Sequence, residues 1–297
     1  MSFILSAEST IDMPWPYAEE RDIPILHYHY SIDMDEYEDD MGKDPEQRAG
    51  FYRAILEDKK IPKTTQLNEA EYEDFFSALL EKGDVLHLAF GSGMTNSVFN
   101  AFRAQETMKE KYPDRKLVVI DTLCSQGGFG LLADAAADLR DEGRSLDEVA
   151  DWVENNKLSV NHQFTQTDIQ YFKRSGRMSG PTAAIATILN ICPIMHLDDQ
   201  GKIVAYDKVR GRKAAIQETV RAMEDHAKDR NGYSGKCYIG HANCPDSAQE
   251  ALELVKAKFP KIGKIFVADM GMVIASHCGP GCLAVYWFGD DRQPAEK

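Results

Sequence analysis

The 297-residue chain contains 34 Lys and Arg against 48 Asp and Glu, giving a formal net charge of −14, and 43% of its residues are hydrophobic. This length and composition are typical of a globular protein of two domains, and no run approaches the roughly 18 apolar residues of a membrane span. Residues 1–160 carry 16 basic and 33 acidic residues (−17), and residues 161–297 carry 18 and 15 (+3). The acidic first half argues against nucleic-acid binding, which needs a positive footprint.

The start of the chain and its cysteines indicate a cytoplasmic protein. Residues 1–8 have neither the basic region nor the long apolar core of a signal peptide. The six cysteines include no C-x-x-C pair, and beyond the adjacent His277 no further Cys or His lies near Cys278 and Cys282 in sequence to complete a zinc site. Buried, reduced thiols and the absence of a metal or cofactor are therefore expected.

The first half alternates strand-like and helix-like segments. The predicted strands are Phe3–Ser6, Ile23–Tyr30, Val85–Phe90 and Leu117–Ile120. The predicted helices are Pro14–Arg21, Pro45–Leu56, Glu69–Glu81, Thr95–Lys111, one containing Leu131–Leu139, and one opened by the capping box Ser145–Glu148. The acidic segment Asp33–Asp40 is predicted as a loop or hairpin tip, and Ile61–Gln66 as extended. Repeated strand–turn–helix units predict a doubly wound, mostly parallel sheet.

The second half has a different pattern, which predicts a mixed sheet. The predicted strands are Val160–Thr167, Pro193–Leu197, Lys202–Val209 and Cys282–Trp287, with a hairpin turn at 198–201. The predicted helices are Asp168–Lys173, Pro181–Leu189 and Lys213–Asp229, and two strand–helix units occupy Tyr238–Lys258 and Ile265–Ala275. We therefore predict an α/β protein of two α/β domains, residues 1–160 and residues 161–297.

Three small-residue segments that follow apolar runs are candidate ligand loops: Thr64–Gln66, Gly91–Thr95 and Ser276–Gly281. They supply hydroxyls, backbone N–H groups and His277 but no carboxylate, an inventory that favours binding a small anion over acid–base catalysis. Gly91–Thr95 lacks the lysine of a Walker loop, and free N–H groups at the following helix start are expected to face an anion. Taken alone, Gly91–Thr95 is explained equally well by a tight turn with helix caps, and Thr64 and Thr65 are better explained by a capped turn. The glycines that follow His277 favour a functional role for that histidine, because they allow close approach.

Other polar groups have structural explanations. Asp121 ends a strand without a second carboxylate, which favours a capping role, and no base is placed to activate Cys124, which favours an inert thiol. The segment Lys173–Arg177 fits either a solvated surface or an anion-binding turn.

Taken together and in order, these segments resemble the DegV family of bacterial fatty-acid-binding proteins over nearly the whole chain. The matching segments are Glu8–Thr10, Lys63–Gln66, Gly91–Thr95, Val119–Thr122, Phe172–Ser179, Leu189–Ile194, Gly201–Ile203, Lys208–Arg210 and Ser276–Gly281. The resemblance implies two α/β domains with one long-chain fatty acid in a tunnel between them. It also implies a protein that is not itself an enzyme and that presents the fatty acid to a separate kinase, which makes acyl phosphate.

The resemblance also assigns residues. The fatty acid carboxylate would be held by Thr64, Thr65, Ser92 and His277. The acyl chain would lie in an apolar tunnel of the second domain, for which the candidate lining residues are Ile185, Ile188, Leu189, Ile191, Ile194 and Met195, although a plain core explains them equally well. The residues that would face the kinase or the new phosphate are Arg177, Arg210, Arg212 and Lys213.

Three positions depart from the family pattern. The usual threonine-aspartate-serine-threonine near the N-terminus is Ala7–Thr10 here, Leu67 replaces a common proline, and Gly91 replaces the first of two paired serines. The change at Gly91 removes one possible donor, and the departures together predict either looser carboxylate binding or a ligand with a different head group. An enzyme that uses the same anion site, a phosphotransferase or an acyl-transfer catalyst, is the alternative function, and a regulatory or interaction module is a third.

Overall fold

The computed structural model describes residues 3–178 and 190–292 and is built from strands and helices in alternation. The strands are β1 (Ile4–Glu8), β2 (Ile25–Leu26), β3 (His29–Ile32), β4 (Asp35–Glu38), β5 (Lys63–Thr65), β6 (Val85–Ala89), β7 (Leu117–Asp121), β8 (Val160–Thr165), β9 (Ile191–Leu197), β10 (Ile203–Arg210), β11 (Cys237–His241), β12 (Ile265–Asp269) and β13 (Leu283–Phe288). The helices are α1 (Trp15–Glu20), α2 (Pro45–Leu56), α3 (Glu69–Leu80), α4 (Ser97–Lys111), α5 (Gln126–Asp141), α6 (Leu146–Asn156), α7 (Gln170–Ser175), α8 (Arg212–His226), α9 (Pro245–Lys258) and α10 (Met272–Cys278).

Two main sheets confirm the predicted α/β class. The first has the order β2-β1-β6-β7 and is parallel throughout. The second has the order β10-β9-β8-β13-β11-β12, in which β11 and β12 are parallel and the other neighbours antiparallel. The first half therefore forms a parallel sheet and the second half a mixed sheet, as the two sequence patterns predict. The boundary between residues 160 and 161 stays a prediction, because one hydrophobic cluster includes buried residues from both sides of it.

Local signals placed several helices correctly. Asn68 and Ser145 each accept a hydrogen bond from the backbone of the third helical residue, which is a glutamate that bonds back in a capping box. Asp44 caps α2, which has Pro45 at its first position. These caps fix the starts of α2, α3 and α6 by contacts within a few residues, which explains why the sequence indicates them.

Several predicted bounds were wrong. The predicted strand Ile23–Tyr30 is two short strands, β2 and β3, in different sheets, and the acidic segment contains the strand β4. Strands β4, β3 and β5 form a small antiparallel sheet, in which β3 pairs with both neighbours. The helix predicted from Thr95 begins at Ser97. The predicted helix Pro181–Leu189 lies outside the described residues.

Within residues 3–178 and 190–292, no helix combines the length and the apolar composition that crossing a bilayer requires.

Candidate functional site

A cavity of about 170 Å³ lies where the two main sheets meet, and both halves of the chain line it. Its polar lining residues include Thr64, Thr65, Gln66, Thr95, Ser125, Gln126, Arg177 and His277. Its apolar lining residues include Phe90, Met94, Phe164, Phe172, Leu197, Ile203, Val273 and Ile274. The cavity is therefore amphipathic. Thr65 and Gln66 are exposed, so the cavity wall reaches the protein surface at these two residues.

Two of the three segments predicted to bind an anion, Thr64–Gln66 and Ser276–Gly281, meet in this cavity. His277 Nε2 lies 2.8 Å from Thr64 Oγ1, in a hydrogen bond between residues 213 positions apart. Strand β5 presents Thr64, and the last turn of α10 presents His277, which is helical rather than part of a loop. The other ring nitrogen, His277 Nδ1, is buried and has no hydrogen-bond partner among the described residues. The site therefore has unsatisfied hydrogen-bonding capacity.

The positive charge in this wall belongs to Arg177. Burial, together with the positive charge of Arg177, lowers the pKa of His277 to about 4, so the imidazole is neutral at physiological pH. Burial also lowers the pKa of Arg177, but an arginine remains protonated. Its guanidinium donates to Ser175 O, and no carboxylate of the described part of the chain pairs with it. A half-buried cation without a counter-ion favours an anionic ligand.

Helix α10 is held in place by a carboxylate from the first half. Asp39 is fully buried and accepts hydrogen bonds from Met272 N at 3.2 Å and Val273 N at 3.0 Å. These N–H groups belong to the first turn of α10, which has no intrahelical acceptor for them. Burial raises the pKa of Asp39 to about 6, against the lowering effect of its backbone donors. Because α10 supplies Val273, Ile274 and His277 to the cavity wall, Asp39 positions the site without entering it.

The segment Gly91–Thr95 contributes differently from the prediction. Ser92 is not in the cavity wall, and its N–H donates to Asp121 Oδ1 at 3.0 Å. The N–H groups of Gly91, Met94 and Thr95 bond to backbone carbonyls, so they are not free to bind an anion. Thr95 is the hydroxyl-bearing residue of this segment that lines the cavity, and its Oγ1 accepts from Ser97 N.

The glycines of this segment are explained by close backbone contacts. A Cβ at position 91 would lie 2.8 Å from the carbonyl carbon of Leu123 and 2.9 Å from Cys124 N and O. A Cβ at position 93 would lie 2.3 Å from Gly201 O, in the hairpin turn of the second half. A serine at position 91 would therefore meet the 123–124 backbone rather than the cavity, which removes the basis for expecting Gly91 to weaken carboxylate binding.

The candidates for the acyl-chain tunnel are only partly described. Ile185, Ile188 and Leu189 lie outside the described residues, and Ile191, Ile194 and Met195 are not in the cavity wall. Ile194 packs with Cys192 and Ala215 on the face of β9 that is turned toward α8, and Met195 belongs to the main hydrophobic cluster. Strand alternation explains the placement of Ile194, because Leu197, which lines the cavity, projects from the opposite face.

The four basic residues that the resemblance assigns to the kinase or the new phosphate do not lie together in the structure. Arg177 lines the cavity, whereas Arg210, Arg212 and Lys213 lie at the end of β10 and the start of α8, outside the wall. Arg212 donates to Ser247 Oγ at 3.0 Å. The charge of Arg177 is therefore available to a ligand, and the other three are not part of this site.

Asp121 and Cys124 have the structural roles that their sequence context favoured. Asp121 Oδ1 also accepts from Leu123 N at 3.0 Å, so one carboxylate links the segments that follow β6 and β7. Cys124 is buried, and burial raises the pKa of its thiol to about 11, which favours the protonated, less nucleophilic form. All six cysteines are free.

Ser125 and Gln126 are cavity residues that sequence reasoning missed. They connect β7 to α5, at the carboxyl edge of the parallel sheet where ligands of α/β proteins bind. The sequence did contain a signal for these cavity residues: a serine followed by Gln126, Gly127 and Gly128 after an apolar strand.

Comparison with known proteins places this geometry in a family. The model of the DegV family, described as an uncharacterised protein family, matches residues 3–290. A DegV domain-containing protein of Clostridium perfringens is 32% identical over 293 residues, covering 98% of this chain and 99% of the relative.

Solved structures of the same family share the fold. A DegV lipid binding protein from Thermotoga maritima superposes with a TM-score of 0.86 at 23% identity, covering 99% of this chain and all of that one. The Streptococcus pneumoniae Fatty Acid Kinase (Fak) B3 protein, loaded with linoleic acid, superposes with a TM-score of 0.83 at 19% identity, covering 98% of this chain and all of that one. At this identity the likeness establishes the fold alone.

Proposed function

Because the chain belongs to the DegV family, we propose that it binds a long-chain fatty acid and presents the carboxylate to a separate kinase for acyl phosphate formation. The carboxylate is held at Thr64, Thr65 and His277, with the charge of Arg177 beside it, and the acyl chain begins in the apolar part of the cavity. Ser92, the fourth residue that the family resemblance assigns, lies outside the wall and is omitted from this proposal.

The observation that carries the proposal is an arginine without a carboxylate partner in the wall of an amphipathic cavity. Arg177 has no carboxylate partner in the described chain, and His277 beside it is neutral with one unpartnered nitrogen. A fatty acid supplies both missing elements, a single negative charge with hydrogen-bonding oxygens and a long apolar chain. Each buried CH₂ contributes about 0.8 kcal/mol, so a chain of about 16 carbons offsets the costs of association.

The position of the polar residues supports presentation of the ligand to a partner. Thr65 and Gln66 are exposed while Phe164 and Phe172 are buried, so a carboxylate near β5 lies close to the surface and the chain lies inside. The similar Streptococcus pneumoniae protein belongs to a fatty acid kinase system. By this proposal the chemistry occurs on the kinase, and the present chain supplies an immobilised carboxylate.

Mass spectrometry of the purified chain under denaturing conditions tests the binding claim. The expected result is a long-chain fatty acid released at close to one molecule per chain. A protein that carries no lipid and takes up neither palmitate nor oleate would overturn the proposal.

A second experiment tests whether the chemistry occurs on the kinase. The protein loaded with fatty acid is mixed with ATP, with and without a fatty acid kinase catalytic protein. Acyl phosphate is expected only when the kinase is present. Turnover by the isolated chain, lost in His277→Ala, would instead support the enzyme alternative.

A further inference from the structure

The cavity contains a second group of polar residues on elements other than those that carry Thr64 and His277. Ser125 and Gln126 line the wall at the start of α5. Gln126 is only 7% exposed, yet its side-chain amide makes no hydrogen bond with any residue that the structure describes. The Ser125 hydroxyl likewise has no partner there, and it does not cap the helix.

The backbone at this point also offers donors. The first backbone bond of α5 joins Phe129 N to Ser125 O, so the N–H groups of Gln126, Gly127 and Gly128 have no acceptor within the helix. Ser125 N donates to His162 Nε2 at 3.1 Å. The start of a 16-residue helix carries a partial positive charge, which favours an oxygen atom at this position.

A neighbouring side chain in the same wall is also unsatisfied. Tyr286 is 1% exposed, and its hydroxyl has no hydrogen-bond partner among the described residues. Its ring packs directly on the helix start, since a Cβ at Gly127 would lie 2.8 Å from Tyr286 Cε2. His162 has no ring nitrogen available for a ligand, because Nδ1 donates to Val160 O at 3.0 Å and Nε2 accepts from Ser125 N. Gln126 therefore remains available to a polar ligand atom, together with the hydroxyls of Ser125 and Tyr286.

The backbone conformation of Gln126 is unusual for its residue type. Its φ of +58° lies in the left-handed region, where glycine and asparagine are less strained than glutamine. Such strain is typical of ligand sites, where the side chain is retained for what it binds.

We propose that Ser125, Gln126 and the first turn of α5 form a subsite for an oxygen atom carried by the acyl chain, so that the preferred ligand is an oxygenated long-chain fatty acid. The inference rests on the proposed function. The subsite supplies mainly donors, so the oxygen is an acceptor: a hydroxyl, an oxo group or a second carboxylate. A plain alkyl chain would cover the Gln126 amide without bonding to it, and burying an unpaired polar group lowers affinity by roughly ten-fold or more.

Matched ligands test this on the delipidated full chain. We compare ricinoleate with oleate, which differ by a hydroxyl in mid-chain, and ω-hydroxypalmitate and hexadecanedioate with palmitate. At least one oxygenated ligand is expected to bind about ten-fold or more tightly than its plain counterpart. Equal or weaker binding of all three oxygenated ligands would overturn the inference while leaving fatty acid binding intact. If no ligand binds at all, the proposed function itself fails.

Three variants test whether the preference arises at Gln126. Gln126→Gly removes the amide and accepts the left-handed backbone, so it preserves the fold and is expected to abolish the preference for the oxygenated ligand. Gln126→Asn keeps an amide and tolerates the same φ, and is expected to retain part of the preference. His277→Ala is expected to weaken binding of both members of a pair and leave their ratio unchanged. A preference that survives in Gln126→Gly would contradict the assigned subsite.

Discussion

Replacing Gly91 by serine would restore the residue expected from the family pattern, yet the structure predicts a loss of stability. The new Cβ would lie 2.8–2.9 Å from three backbone atoms of Leu123 and Cys124, and Gly91 N donates to Cys124 O at 3.0 Å. Backbone atoms cannot move aside as a flexible side chain can. Overpacking of this kind costs about 1–3 kcal/mol, so the melting temperature should fall by about 2–4 °C for each kcal/mol lost.

The assay is thermal unfolding of delipidated Gly91→Ser and Gly91→Ala, with Gly50→Ala as the matched control. A Cβ at Gly50, inside α2, meets nothing within 4 Å, so alanine there should stabilise the helix by up to about 1 kcal/mol. Palmitate affinity of Gly91→Ser should not rise, because the added hydroxyl starts from the 123–124 backbone. A stable Gly91→Ser protein that binds palmitate more tightly would refute the reasoning.

Three further predictions concern the site. Thr64→Val removes the hydroxyl bonded to His277 and should weaken palmitate binding by about ten-fold, measured by calorimetric titration; unchanged affinity would remove Thr64 from the site. The pKa of His277 is about 4 in the folded protein and near 6.5 when unfolded, so the unfolded chain binds the extra proton between these values. Wild-type protein should therefore lose about 3 kcal/mol more stability than His277→Gln as the pH falls from 6.5 to 4, and parallel unfolding curves would contradict this. Asp39→Ala removes the bonds to Met272 and Val273 and should lower both the melting temperature and palmitate affinity; a loss of stability with full affinity would show that α10 does not depend on this contact.

The parts of the fold that were predictable from sequence are those fixed by local chemistry. The buried runs that form β6 and β7 and the capping boxes at Asn68 and Ser145 depend on residues within a few positions of one another. Strand β4 was missed because three of its four residues, Asp35, Glu36 and Glu38, are acidic and the strand is exposed on both faces. Pairing with β3, including a stack of Tyr37 on Tyr30, makes this segment a strand.

The site residues could be predicted only from the resemblance to the DegV family. The Thr64–His277 contact joins segments 213 residues apart, and no local pattern in either segment indicates it. The assignment of Ser92 stays a prediction, because sequence does not show how the loop Gly91–Thr95 turns. The turn directs Ser92 N toward Asp121 and brings Thr95 to the wall. Gln126 was missed because its position in the cavity depends on a left-handed backbone that glutamine rarely adopts.

Calorimetric titration of the delipidated chain with palmitate and with the uncharged alcohol hexadecanol tests carboxylate binding in this cavity most directly. Wild-type protein should bind one palmitate per chain and prefer it to hexadecanol by roughly ten-fold or more, since hydrogen bonds to charged groups contribute about 1.5–3 kcal/mol. The preference should fall in Arg177→Met and persist in Arg210→Met, because Arg210 is exposed and outside the wall. Failure to bind palmitate, or equal binding of acid and alcohol, would contradict a cavity built around a fatty acid carboxylate.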